Sequence, residues 1–248
     1  MDFTITDDVI TIEVGEQLGS GAYKEVFTVK KNPHIALLVP IELFGSREEL
    51  IRSLFRENDV LEFLRCNEVP AADIKWIGSA YIKGSKFAEN KPYVVAIMQR
   101  AIAGNRVSDS DQHRDLLNTL NEKTIDDVKK IKAAMIKHDL DIRDIQCLFL
   151  KDGSILISDP LDARVIRERD FNHCDEFYFL KEIEEAAVYA IAYRSGLVKN
   201  EERELIRSPN FDIFQAGKSW CRKNGMDSED ILVHERVGEA DGDDGASL

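Results

Sequence analysis

Two clusters in this sequence have residue types and spacings suited to phosphate and a divalent cation. The first is Leu18-Gly19-Ser20-Gly21-Ala22-Tyr23-Lys24-Glu25-Val26. Glycines in a hairpin let backbone N–H groups come close to phosphate oxygens, because no Cβ intervenes. The second is Leu140-Asp141-Ile142-Arg143-Asp144-Ile145-Gln146, then a short hairpin, then Ile157-Ser158-Asp159-Pro160. Gln146 stands five after Asp141, and Asp159 thirteen after Gln146. Carboxylate and amide oxygens at the two ends of a hairpin can converge on magnesium, which takes oxygen ligands together with water and substrate phosphates. An ordinary glycine hairpin and solvated acidic turns are the plain alternatives.

The elements around these clusters must hold them in place. Residues 3–14 alternate and are rich in β-branched types, so they read as strand. Residues 16–31 read as strand, glycine turn and strand. The glycines therefore do not open a helix, which argues against a dinucleotide-binding fingerprint. Residues 34–40 are a short apolar run ended by Pro40, a buried strand by composition. Residues 46–65 carry Leu50, Leu54, Leu61 and Leu64 at helical spacing, and Ser46 with Glu49 forms a candidate capping box. Strands are expected around 74–83 and 92–99. Helices are expected at 124–137, 176–194 and 211–224, with a hairpin of 147–150 and 154–158 around Asp152-Gly153. The fold class is α+β, β-rich first and helical second. The last dozen residues, acidic and rich in small types, read as a disordered tail.

Composition narrows the function classes. The chain has 248 residues, 44% apolar and 32% charged, with a net charge of −13. Such an acidic chain without a basic cluster is a poor nucleic-acid binder, because phosphate neutralisation supplies most of that affinity. No apolar run is long enough for a membrane span, and the acidic N-terminus lacks the form of a signal peptide, so a cytoplasmic location is expected. Cys66, Cys147, Cys174 and Cys221 form no CxxC pair and read as reduced buried thiols.

The ordered set of motifs resembles the protein-kinase-like superfamily. Asp141 falls at the catalytic base, Gln146 at the metal-binding amide and Asp159 at the metal-binding aspartate. Arg143 falls where a cation stands beside the transferred phosphate. Phe55-Arg56-Glu57 resembles the helix whose glutamate pairs with a strand lysine, and Ile35-Ala36-Leu37-Leu38 resembles the strand that carries it. Leu38 and Glu57 are nineteen residues apart, as the family has them. Leu38 stands at the lysine, however, while Lys24 replaces the third glycine of the loop. This exchange resembles the with-no-lysine kinases. The site needs a cation near the phosphates, held by a carboxylate, and not one particular backbone position. Lys24 as a plain surface lysine is the alternative.

The resemblance implies a two-lobed fold, with an N-lobe over 1–98, a reduced helical lobe over 99–236 and the acidic tail over 237–248. It implies ATP and Mg²⁺ as cofactors. Gly19, Ser20 and Gly21 would cover the phosphates, Val26 and Ala36 would pack on adenine, and the backbone of Gln99–Ala101 would read its edge. Gln146 and Asp159 would hold the metal, while Asp141, Arg143, Lys24 and Glu57 would carry catalysis. Asp139, two residues earlier, is a second candidate base. Asp-Pro in place of Asp-Phe-Gly is similar to short phage kinases and secreted bacterial effector kinases, which adds delivery into a host cytosol to the expectation. No arginine precedes Asp141 and no A-P-E element follows Asp159, so activation-loop phosphorylation is not expected. The implied acceptor is a protein Ser/Thr hydroxyl. The rivals are a small-molecule kinase of the aminoglycoside type, a pseudokinase that binds partners, and an unrelated α+β domain.

Overall fold

The computed structural model describes residues 10–20, 23–41, 46–84, 86–88, 90–104, 110–158, 160, 162–165 and 175–226. The candidate site residues Gly21 and Asp159, Cys174 and the acidic tail lie outside these described residues.

The first half is a barrel of five strands: β1 (Ile10–Ser20), β2 (Lys24–Val29), β3 (Asn32–Pro40), β4 (Ile74–Lys83) and β5 (Pro92–Gln99). Their order is β1-β2-β3-β5-β4, and the barrel closes where β1 runs parallel to β4, Ile10 facing Ala80 through Glu13 facing Lys83. The other neighbours are antiparallel. The two strands expected before the glycines are one. β1 runs through Gly15, and irregular register between Val14 and Gly19 absorbs the break.

Period-two alternation sorts each strand onto two faces. Ile12, Val14, Phe27, Leu37, Val39, Ala80, Ile82 and Val95 fill the barrel. Ala36 and Leu38, the alternate residues of β3, belong instead to the larger core shared with the helices. Helix α1 (Arg47–Cys66) packs into that core through Leu50, Leu54, Leu61 and Leu64. It starts at Ser46, whose Oγ accepts from Glu49 N–H at 3.3 Å while Glu49 Oε2 accepts from Ser46 N–H at 2.7 Å. Reciprocal capping of this kind satisfies two orphan donors. The backbone bond also holds the Glu49 carboxyl below its usual range.

The second half begins with β6 (Ala103–Gly104), α2 (Ser110–Thr119) and α3 (Glu122–Lys137). Four short strands follow: β7 (Leu140–Arg143), β8 (Gln146–Phe149), β9 (Ile155–Ser158) and β10 (Asp162–Val165). Helices α4 (Asp175–Arg194), α5 (Asn200–Leu205) and α6 (Ile213–Lys223) complete the described part. β8 and β9 form the expected hairpin, and its turn is sewn to the start of α3. Asn121 Nδ2 donates to Asp152 O, Thr124 Oγ1 to Gly153 O, and Ile155 N–H to buried Asp127. Gly153 has φ +85°, and Asn121 leaves no room for a Cβ there.

Helix α4 is the centre of this half, with Leu180, Ile183, Ala186, Ala187 and Ala190 fully buried. Lys132 of α3 reaches Glu184 at 2.8 Å in the interior, and Arg194 donates to the C-terminal carbonyls of Leu117 and Leu120. Cys147 and Cys221 are buried, but Cys66 is exposed, which corrects the expectation for that thiol. Burial pushes the Cys147 thiol up to about 12. No helix among the described residues is long and apolar enough to cross a membrane.

Gly217 lies on α6 where a Cβ would stand 2.7 Å from the Ala186 backbone on α4. Backbone cannot yield as a side-chain tip can, so Gly217→Ala is expected to lower the unfolding free energy by roughly 1–3 kcal/mol in urea titrations. Asp152 has its carboxyl well below the usual range, through Lys123 first and then the hydroxyl and N–H of Ser154. A depressed carboxyl stabilises above its unfolded pKa, and that contribution fades as pH falls through the folded value. The carboxylate is largely exposed, so Asp152→Asn should cost at most about 1 kcal/mol at pH 7. The gap to the unaltered protein should shrink below about pH 4.

Candidate active site

The site is built from the barrel's β2, helix α1 and the short strands of the second half. Lys24 opens β2 immediately after the glycine turn, facing Pro40 across β3. Val26 faces Leu38 in the next same-side pair. Lys24, Val26 and Leu38 therefore share one face, and Lys24 lies diagonally across from the position where the family's lysine would stand. That diagonal is about 7–8 Å, within reach of a lysine side chain.

Glu57 meets it there. On α1 the buried stripe runs Leu50, Leu54, then Leu61 and Leu64. Glu57 fits the same three-and-four spacing between Leu54 and Leu61, so helix geometry alone turns it inward. Lys24 Nζ lies 2.9 Å from Glu57 Oε1 and 2.8 Å from Oε2. The two side chains are 17% and 14% exposed, so the pair is partly withdrawn from water.

The helix is also tied to the second half. After α1, Ile157 N–H donates to Pro70 O at 2.9 Å and Ala72 N–H donates to Ile157 O at 2.8 Å. Ile157 belongs to β9, so the strand leading to Asp159 is bonded to the segment leaving α1. Gln146 opens β8 opposite Ser158, the last residue before Asp159. Its Nε2 donates to Asp144 Oδ2 at 3.2 Å, which leaves the amide oxygen as the group able to take a cation. Asp144 itself has φ +54°, a conformation aspartate tolerates better than most residues. Among the described residues no three His, Cys, Asp or Glu cluster to hold a metal. An amide oxygen followed by the carboxylate of Asp159 is the hard-oxygen chemistry that magnesium takes, completed by substrate phosphates.

Asp141 sits in β7, only 6% exposed. Arg164 Nε donates to its Oδ2 at 3.3 Å, and Arg143 Nε lies 3.8 Å from the same oxygen. Asp139 is an exposed residue in the turn after α3, with φ +49°. The geometry thus brings Asp141, not Asp139, together with Arg143. Arg164 is the residue that sequence reasoning missed. Its only signal was its place five after Asp159, and cross-strand pairing alone brings it to Asp141.

Ala36 is buried and Val26 half-buried, both against the shared core. Gly19 and Ser20 end β1, and nothing lies within 4 Å of a Cβ built on Gly19. The connection between the halves carries Arg100 N–H bonded to His34 O and Ile102 N–H bonded to Phe149 O. Between them, no partner among the described residues takes the Ala101 N–H. Gln99, the last residue of β5, pairs with Ile35 and is exposed.

No curated protein matches the chain. Residues 3–181, well over half of it, match the kinase domain of the type III secretion system effector HopBF1, and the chain belongs to that kinase family.

Proposed function

We propose that this chain is an ATP-dependent protein kinase that phosphorylates Ser or Thr hydroxyls, using a lysine carried by the glycine hairpin. The observation that carries this reading is the contact of Lys24 with both oxygens of Glu57, residues thirty-three apart in sequence. A chain that had lost nucleotide chemistry would have no physical need for a half-buried cation at that place. The reading divides the chain into lobes at 1–98 and 99–236.

In this mechanism Gly19, Ser20 and Gly21 cover the phosphates with backbone N–H groups. Val26 and Ala36 pack on adenine, while the Gln99 carbonyl and the Ala101 N–H read its edge. Lys24, oriented by Glu57, neutralises charge at the α and β phosphates. Gln146 and Asp159 would hold Mg²⁺, which would supply positive charge to offset that of the phosphates. The acceptor oxygen forms a bond to the γ-phosphorus as the bond to the ADP oxygen breaks, and Asp141 takes the hydroxyl proton. Arg143 stabilises charge on the transferred group. Almost all of this is positioning and electrostatics.

Local charge supports a protein acceptor. Arg143 and Arg164 are about half exposed beside Asp141. Two guanidiniums there disfavour a polycationic small molecule and suit a protein segment. Membership in a family described as type III secretion effectors supports action in a host cytosol after delivery.

With γ-labelled ATP, Mg²⁺ and dephosphorylated casein, the unaltered chain is expected to transfer label. Lys24→Met should lower transfer by roughly 10²–10³-fold, and Asp159→Ala should abolish it, with melting temperatures little changed. Transfer that survives Lys24→Met would remove that lysine from the mechanism. Adding Leu38→Lys to Lys24→Met returns a cation to the same face opposite Glu57 and should recover at least tenfold of the lost rate. A folded double variant with no recovery would mean that Lys24 acts through the hairpin and not through its charge alone.

A further inference from the structure

We propose that Arg164 is a positioning residue for Asp141, delivered by the strand that follows the metal-binding aspartate. The inference rests on the kinase reading of Asp141 and names a part of that site beyond it. β10 and β7 are antiparallel, and their register sets Arg164 directly opposite Asp141. The Arg164 contact with Asp141 Oδ2, 3.3 Å, is closer than that of Arg143, 3.8 Å. Both arginines approach through Nε. The side chain of Asp141 is nearly buried while that of Arg164 is half exposed.

Leu140 precedes Asp141, so the base receives no cation from its own N-terminal neighbour. Arg164 supplies one across the sheet. A charge-assisted bond from a planar guanidinium restricts the carboxylate to one orientation. Short strand pairs depend on few backbone bonds, so the position of Asp141 becomes coupled to the order of β10. Arg164 stands five residues after Asp159 in the sequence.

The test is steady-state kinetics on the full chain with ATP and casein, for Arg164→Ala, Arg164→Gln, Arg164→Lys, Asp141→Asn and the Asp141→Asn/Arg164→Ala double variant. We expect Arg164→Ala and Arg164→Gln to lower kcat about 10–100-fold with KM for ATP changed by less than about twofold. Arg164→Lys should recover part of the loss. The double variant should be no slower than Asp141→Asn, because a residue acting only through Asp141 has nothing further to lose. Unchanged kcat in both neutral variants, a loss confined to KM for ATP, or losses that multiply in the double variant would each overturn the inference. If Arg164→Ala unfolds, Arg164→Gln and Arg164→Lys carry the comparison. An unaltered chain that transfers no label overturns the kinase reading and this inference with it. An active chain indifferent to Arg164 overturns this inference alone.

Discussion

The contact between Lys24 and Glu57 joins the three parts of the structure that have to agree. Lys24 belongs to the barrel, Glu57 to helix α1, and that helix runs into the Pro70–Ala72 segment bonded to β9. A displacement of any one of them moves the cation relative to β9. Surface ion pairs contribute under about 1 kcal/mol, and partly withdrawing both charges from water adds a desolvation penalty that offsets the attraction. The pair is therefore better understood as a device that fixes a charge in space than as a source of stability. Stability comes from what surrounds it: the leucine stripe of α1 and the reciprocal cap at Ser46 and Glu49.

Moving the lysine is possible because of how a sheet repeats. Side chains that face each other across antiparallel strands share a side, and so do alternate residues along one strand. Leu38, Val26 and Lys24 satisfy both conditions. A cation can pass from β3 to β2 and still emerge on the side that faces Glu57, provided that it shifts by an even number of residues. A shift of one would have placed it with Glu25 and Phe27, on the opposite side of the strand. Leu38 then gains what a lysine there would forfeit, since it packs in the core shared by the barrel and the helices.

Features set by local pattern were legible in the sequence. The α1 stripe, its capping box, β4, β5 and the hairpin at Asp152-Gly153 all follow from periodicity and turn chemistry over a few residues. What was missed is non-local or weakly patterned. Closure of the barrel needs β1 to find β4 some seventy residues away, and no composition marks a parallel edge pair. α2 escaped because it buries only Leu116, Leu117 and a histidine, too few apolar positions for a helical period. β7 and β10 are four residues each, below the length at which alternation can be told from chance. Arg164 was invisible for the same reason: its neighbour Asp141 is set by the register of that short pair. The residues of the candidate site were chosen by the order and spacing of chemically apt types. The Lys24–Glu57 contact followed from the absence of a lysine at Leu38.

The charge distribution bears on control of the site. The chain carries thirteen more acidic than basic residues, yet each of the three cations at the site is already held by a carboxylate, Lys24 by Glu57 and both Arg143 and Arg164 by Asp141. Such a site pays its reorganisation during folding and not at the moment of reaction. Where a catalytic aspartate depends on a cation from a mobile segment, an added phosphate can order that segment and so govern activity. Here the cation comes from a strand paired directly with the aspartate's own strand. Among the described residues, strand register alone sets that contact.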